Sequence, residues 1–310
     1  MEQDVSIKNK SKKVHAPKVD MFNKRIHEID FFRGILIFLV VFDHIMIDIY
    51  HLPFDHSNQF WQFFNWYIHS TARDVIQPLA LFGFCFVSGI SCAFSKNNLK
   101  RAIVVLIIWA VLFIGSNILS LMIANGWING LNDPEVRVDF NIIGVLGFCM
   151  LTYALIQKKS WRSIAVVILV SFYLTTYFIP WLRQSITYYM YTEHGVIPFQ
   201  NYRPGNYWYT DVEYWNGDKL ITNPIPKFYL PFFWEPEGQA DYVSLFPYSM
   251  FFFAGALFSY FTYKKNKKSL IPHKGQWERP ICFIGRHTLI IYGGQFVVLT
   301  IVFNIIRLFM

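Results

Sequence analysis

Charge is what this 310-residue sequence has least of: 15% of its residues are Asp, Glu, Lys or Arg, against roughly 25% in an ordinary soluble domain. Hydrophobic residues make up 54% and aromatics 19%. Charge this sparse cannot cover the surface of a soluble globule of that length, which excludes most cytosolic enzymes. An apolar fraction this high also excludes disorder, collagen and coiled coil. Cysteine is scarce as well. The four, Cys85, Cys92, Cys149 and Cys282, lie in or beside apolar blocks without a CxxC pair, so neither a disulfide framework nor a zinc site is expected, and no metal is assigned. The first 30 residues lack the short apolar core and small-residue cleavage site of a removable signal peptide.

What the sequence has instead is long apolar runs. A helix needs about 20 mostly apolar residues to cross about 30 Å of hydrocarbon. Seven segments qualify, near residues 31–50, 75–94, 102–123, 140–157, 163–180, 244–263 and 287–307. Only helices and closed barrels satisfy their backbone in lipid, and seven runs of this length leave no room for a barrel. The expected fold is therefore all-α, a polytopic membrane helix bundle of about seven transmembrane helices. The connections alternate in charge. Residues 1–30, 95–101, 158–162 and 264–286 together hold 20 of the 28 Lys and Arg with 6 acids, whereas the opposite connections and the C-terminal end hold 7 basic and 12 acidic residues. Basic connections stay inside, which predicts a multi-pass protein of the cell membrane with a cytoplasmic N-terminus. The formal net charge of +8 then reflects topology and contact with membrane lipid, and no nucleic-acid partner is expected. One chain leaves room for a homo-oligomer.

By this reading residues 1–30 are a polar, basic cytoplasmic segment and residues 31–310 one transmembrane domain. Its longest connection, 181–243 on the outer side, holds 17 aromatics among 63 residues, with turn-forming Gly, Pro and Asn in NYRPGNYWYTDVEYWNGDK. One reading is a folded cap whose rings lie in the membrane interface. The other is a platform on which aromatic faces, with Asp211, Glu213, Asn216 and Asp218, hold a sugar-like acceptor.

Ionisable side chains inside a membrane helix are costly and point into the bundle or a wet cavity. At 100° per residue, with Asp30 at zero, Arg33 falls at about 300°, His44 at about 320° and Asp48 at about 0°, so the four share one strip, while Asp43 lies apart at about 220°. Arg33 sits at the cytoplasmic mouth, with His44 about 16 Å deeper. A guanidinium at that mouth suits an anionic ligand arriving from the cytoplasm. The histidine suits a general base or nucleophile, with Asp48 one turn on to orient its ring. His69 and Asp74, in the first outer connection, are candidates to converge on the same cavity. Cys85, Ser88, Gly89 and Cys92 read as a helix-packing face. Arg286 and His287 read mainly as inner-surface anchors, with Arg286 a candidate phosphate ligand.

Arg33, ten residues, then His44, in RIHEIDFFRGILIFLVVFDH, resembles the first helix of membrane-bound acyltransferases. More closely, five segments in order, IDFFRG, LFGFCFVSGIS, NIIGVLGF, ADYVSLFPYSMFFFAGAL and GRHTLIIYGGQ, resemble a bacterial family related to the catalytic domain of heparan-alpha-glucosaminide N-acetyltransferase. The resemblance implies transfer of an acyl group, usually acetyl, from cytoplasmic acyl-CoA (acetyl-CoA or another) to a carbohydrate or other glycan acceptor on the far side. It implies His44 as the catalytic histidine, Arg33 on the donor path and Asp30 bracing the inner end of the helix. It also brings His69 near a catalytic histidine of the animal enzyme. That animal enzyme has asparagine where His44 stands, and Gly294 stands where the last helix commonly has histidine. A transporter or flippase of a small or lipid-linked substrate is the alternative, for which the charged strip would be a pathway. It requires inverted repeats, and none is visible. The sidedness has a direct test: a reporter inserted at 264–276 should be active only in the cytoplasm and one at 204–208 only outside, and the reverse pattern would overturn it.

Overall fold

A computed structural model describes residues 26–50, 52, 54, 58–95, 97–125, 127, 140–179, 181, 202–203, 209–216, 219–226, 243–263 and 277–309. Helices dominate: α1 (His27–Tyr50), α2 (Gln59–Ile68), α3 (Thr71–Cys92), α4 (Asn98–Ala124), α5 (Ile142–Ile156), α6 (Trp161–Tyr173, running on into a π-helical turn at Leu174–Phe178), α7 (Leu245–Thr262), α8 (Glu278–Arg286) and α9 (Thr288–Phe309). The basic N-terminal segment as far as residue 25 lies outside the described residues.

The long connection between α6 and α7 adds something the all-helical expectation lacks. Strands β1 (Tyr202–Arg203), β2 (Tyr209–Asn216) and β3 (Lys219–Pro226) form an antiparallel sheet in the order β1-β2-β3, with Tyr209 opposite Pro226 and Asn216 opposite Lys219. Their Thr, Val, Ile, Tyr and Trp content favours strands. Of the proposed sugar platform, Asp211, Glu213 and Asn216 fall in β2, and Asp218 lies outside the described residues.

Among the described residues, four helices, α3, α4, α6 with its π turn and α7, are long and apolar enough to cross a membrane, and α8 with α9, bent by 71°, makes a fifth if the pair is counted as one span. The remaining two expected spans fall short for different reasons. α1 has 24 residues but carries Arg33, Asp43 and Asp48 within its apolar stretch, and α5 has only 15. Burial runs opposite to that of a soluble protein. Only 17% of the apolar window of α4 is buried, against 44% in α3, and Ile107, Val111, Ile114 and Ile118 share one exposed face of α4. Such a face belongs against lipid.

The core lies where α1, α3, α5 and α7 meet, with Ile37, Cys85, Val145 and Phe252 all fully buried. α5 is apolar all round and buried along most of its length, as an interior helix must be. The four cysteines are buried and free. Two crossings set the geometry, and glycine sets both. α3 and α7 meet reciprocally: a Cβ on Gly89 would strike the Phe252 carbonyl, and one on Gly255 the Phe86 carbonyl. The small-residue face expected on the second span therefore does pack. α1 and α8 repeat the arrangement, with Gly34 under the Ile281 carbonyl and Gly285 under that of Asp30. Small residues let helix backbones approach this closely. Gly255→Leu should therefore lower the thermal midpoint of the detergent-solubilised protein sharply, a loss of about 3 kcal/mol or more. Gly115→Ala, with nothing within 4 Å of the added carbon, should leave the midpoint unchanged or slightly raised.

Candidate functional site

The first turn of α1 is held by three polar ties. The His27 ring bonds Glu278 of α8 through Nε2 and the Cys282 thiol through Nδ1. Glu28 accepts from the Tyr263 hydroxyl just beyond α7, at 3.0 Å. Asp30 accepts from Arg286 Nε, also at 3.0 Å. Glu28 and Asp30 also suit the positive end of the helix dipole. These ties fix Arg33 one turn on, at the wall of a cavity of about 370 Å³.

Among the described residues, four cationic side chains line that cavity, Arg33, Lys100, Arg101 and Arg286, and no carboxylate does. Lys100 and Arg101 stand on the first turn of α4. Asn97 caps it, accepting from Lys100 N at 3.1 Å. Buried Asn98 donates to the Cys92 carbonyl at 2.8 Å and to Gln157 Oε1 at 2.6 Å, locking the α3–α4 turn onto the end of α5. A cation at a helix N-terminus opposes the dipole, so two of them make a strongly positive locus that favours an anion.

A second, smaller cavity of about 130 Å³ lies further along α1 and is lined by His44, Asp43, Tyr67, Arg73, Gln77 and apolar neighbours. His44 Nδ1 lies 2.8 Å from the Val40 carbonyl. A carbonyl only accepts, so Nδ1 carries the proton and Nε2 is the basic nitrogen of the neutral ring. Asp43 lines the same cavity. Its carboxylate receives Arg73 Nε at 2.8 Å and Nη2 at 3.2 Å, and the Tyr67 hydroxyl at 3.0 Å. Burial and that carboxylate push the Tyr67 hydroxyl up to about 12, so it remains a donor at any physiological pH. Ser70, the cap of α3, accepts from Arg73 N and so aims the arginine from the first turn.

A model of the heparan-alpha-glucosaminide N-acetyltransferase catalytic domain matches residues 25–295. The chain belongs to that family. No characterised protein and no solved structure matches it beyond this. The family takes its name from an N-acetyl transfer to a glucosaminide, and with the exposed apolar helices it makes this chain a membrane protein of transferase type. The match includes both cavities and all of α1, α3, α5 and α7.

Against this family background the sequence-derived site separates into parts. Arg33 and Arg286 line the cationic cavity, and Asp30 stands behind it as the partner of Arg286. His44 lines the second cavity. Asp48 is half-buried one turn beyond and lines neither, and the group on Nδ1 is the Val40 carbonyl where the sequence suggested Asp48. His69 is exposed at the end of α2, bonded to the Asn65 carbonyl and set against the Tyr50 ring, about 9 Å along α1 from His44. Asp74 is exposed as well. The structure therefore does not bring His69 or Asp74 to the histidine cavity. His287 bonds the Phe283 carbonyl.

Sequence reasoning missed Tyr67 and Arg73 and set Asp43 apart. The angular argument treats α1 as a lone cylinder, whereas α2 and α3 close over Asp43 from one side, making adjacent Asp43 and His44 walls of one space. The Asp43–Arg73 pair spans 30 residues of sequence, and no local pattern announces it. The side chains are only 11% and 16% exposed, so removing one partner strands the other. Asp43→Ala should cost about 3–5 kcal/mol. Asp43→Asn with Arg73→Met should recover much of that loss, which a double-mutant cycle of detergent melts would measure.

Proposed function

We propose that this protein transfers an acyl group, expected to be acetyl, from acyl-CoA entering on the cytoplasmic side to a hydroxyl or amine of a carbohydrate acceptor reached from the other side. The observation that supports this best is the pair of cavities placed in series along α1. One is ringed by four cations and the other contains a histidine with its basic nitrogen defined. In this reading the phosphates of the donor rest against Arg33, Lys100, Arg101 and Arg286, where both guanidinium forks and the α4 N-terminus favour them. The thin pantetheine arm then carries the thioester along α1 toward His44.

His44 Nε2 takes the proton of the acceptor hydroxyl or amine as its oxygen or nitrogen attacks the thioester carbonyl. The carbon–sulfur bond breaks, and the CoA thiolate leaves and recovers that proton from the imidazolium. A transient acyl-histidine on the same nitrogen would give the same overall balance. The role of Asp43, Arg73 and Tyr67 is to wall the acceptor space with a neutralised ion pair and one hydroxyl donor, which suits an uncharged acceptor group. The seven-span topology, with the outer connection on the acceptor side, belongs to the same proposal.

His44→Ala should lose about 10²- to 10⁴-fold in transfer while remaining folded. Arg33→Ala and Arg286→Ala should raise the KM for acetyl-CoA with little change in kcat. Purified protein given labelled acetyl-CoA should release free CoA. Near-normal transfer by His44→Ala would remove the central claim, and transport of intact substrate without CoA release would favour a carrier.

A further inference from the structure

One residue belongs to both cavities. Tyr292, on the second turn of α9, lines the cationic chamber beside Thr288 and Leu289 and also lines the chamber of His44, and among the described residues it is the sole one common to the two linings. Its side chain is 3% exposed, and its ring stands edge-on to the His44 imidazole, with centroids 6.5 Å apart and planes at 83°. The ring therefore stands where the two linings meet.

The helix that carries the ring is built to yield. Gly293 and Gly294 follow Tyr292 directly. A helix-interior glycine is destabilising by about 1 kcal/mol relative to alanine, so a pair of them calls for a reason. Packing among the described residues does not supply it: a Cβ on Gly293 would come no nearer than 4.0 Å to its neighbour Leu112, and one on Gly294 would meet nothing within 4 Å. At Gly89 and Gly255, by contrast, a side chain is sterically forbidden. Five residues upstream of Tyr292, at His287, α8 and α9 are bent by 71°. A bulky ring at a cavity junction, between a bend and two sterically unneeded glycines, has the features of a gate hinge.

We infer that Tyr292 is the gate between donor and acceptor chambers. It bars water on the acceptor side from the thioester until it swings aside, making it a positioning residue that favours transfer over hydrolysis. This rests on the acyl-transfer reading above. Without the ring, water in the acceptor chamber attacks the thioester carbonyl with His44 Nε2 taking its proton. The carbon–sulfur bond then breaks to give a free carboxylate and CoA thiol. That side reaction consumes donor with no acceptor present.

Two measurements on the full chain test the gate. In the first, acceptor-free CoA release from acetyl-CoA should rise at least 10-fold in Tyr292→Ala, return toward wild type in Tyr292→Phe, and fall again when His44→Ala is added to Tyr292→Ala. In the second, Ser88→Cys places a thiol in the cationic chamber. An impermeant thiol reagent should label it, above the level of the native buried cysteines, from the cytoplasmic side alone. With Tyr292→Ala present, it should label from both sides. Equal labelling from the outer side with and without Tyr292→Ala, or acceptor-free CoA release unchanged in Tyr292→Ala while wild type binds and turns over acetyl-CoA, would overturn the gate. If the labelling changes as expected but wild type neither binds acetyl-CoA nor releases CoA, the gate stands and the acyl-transfer reading falls.

Discussion

An apolar bundle tolerates a helix with seven Asp, Glu, Arg and His side chains only where each is matched by a partner or faces a polar space, and α1 is such a helix. Glu28 and Asp30 are under 9% exposed and are held by Tyr263 and Arg286, while Asp43 is held by Arg73 and Tyr67. Each partner comes from a different element, so satisfying α1 dictates where the end of α7, the end of α8, the end of α2 and the start of α3 must lie. Leaving one of these carboxylates buried without its partner would be worth several kcal/mol against folding. Arg33 and His44 line the two cavities, Asp43 shares the second with His44, and the matched charges fix the helix on which all three sit.

Close helix approach does the rest of the positioning. Charged tips bond only when the backbones beneath them stand at the right separation, and the Gly34–Gly285 contact brings α8 onto α1 so that Arg286 reaches Asp30 and still faces the cationic chamber. The Gly89–Gly255 crossing draws α7 against α3, whose Phe84 and Ser88 line that chamber while Arg73, Gln77 and Ala80 line the next. One helix, α1, and one bent pair, α8–α9, therefore run past both chambers in the same order. A donor with a charged head and a reactive tail fits a site whose cations and histidine are separated by about 11 residues of helix, or about 16 Å.

Much of this was legible in the sequence wherever the cause is local. Apolar runs gave the helices, and the spacing of Arg33 and His44 gave the order of the two chambers. The small residues of α3 announced a close crossing. What is not local could not be read. Helix α2 hides in a connection because ten residues rich in aromatics resemble an interfacial loop, and α8 is too short and charged to register as a span. The antiparallel strands at 209–226 were obscured by reading their Asn and Gly as generic turns, although Val, Ile, Thr and aromatics flank them. Asp43 was misplaced because a helical wheel has no neighbours, and its arginine lies 30 residues away. His69 looked close in sequence to the site, but α2 carries it to the far end of α1.

The places where local rules are broken coincide with the chambers. Elsewhere the chain follows those rules: Asn58, Ser70, Asn97 and Asn141 cap the helices they precede, and the forbidden side chains at Gly89 and Gly255 are absent. Around the cavities it does the opposite, with Lys100 and Arg101 against a helix dipole, an ion pair buried in an apolar wall, and two glycines that no contact among the described residues demands. Each choice lowers stability, and each sits beside one of two adjoining spaces. Natural sequences concentrate such conflicts where function requires them. Their clustering on α1, α3, α4 and α9 favours a path through the bundle over a set of packing accidents.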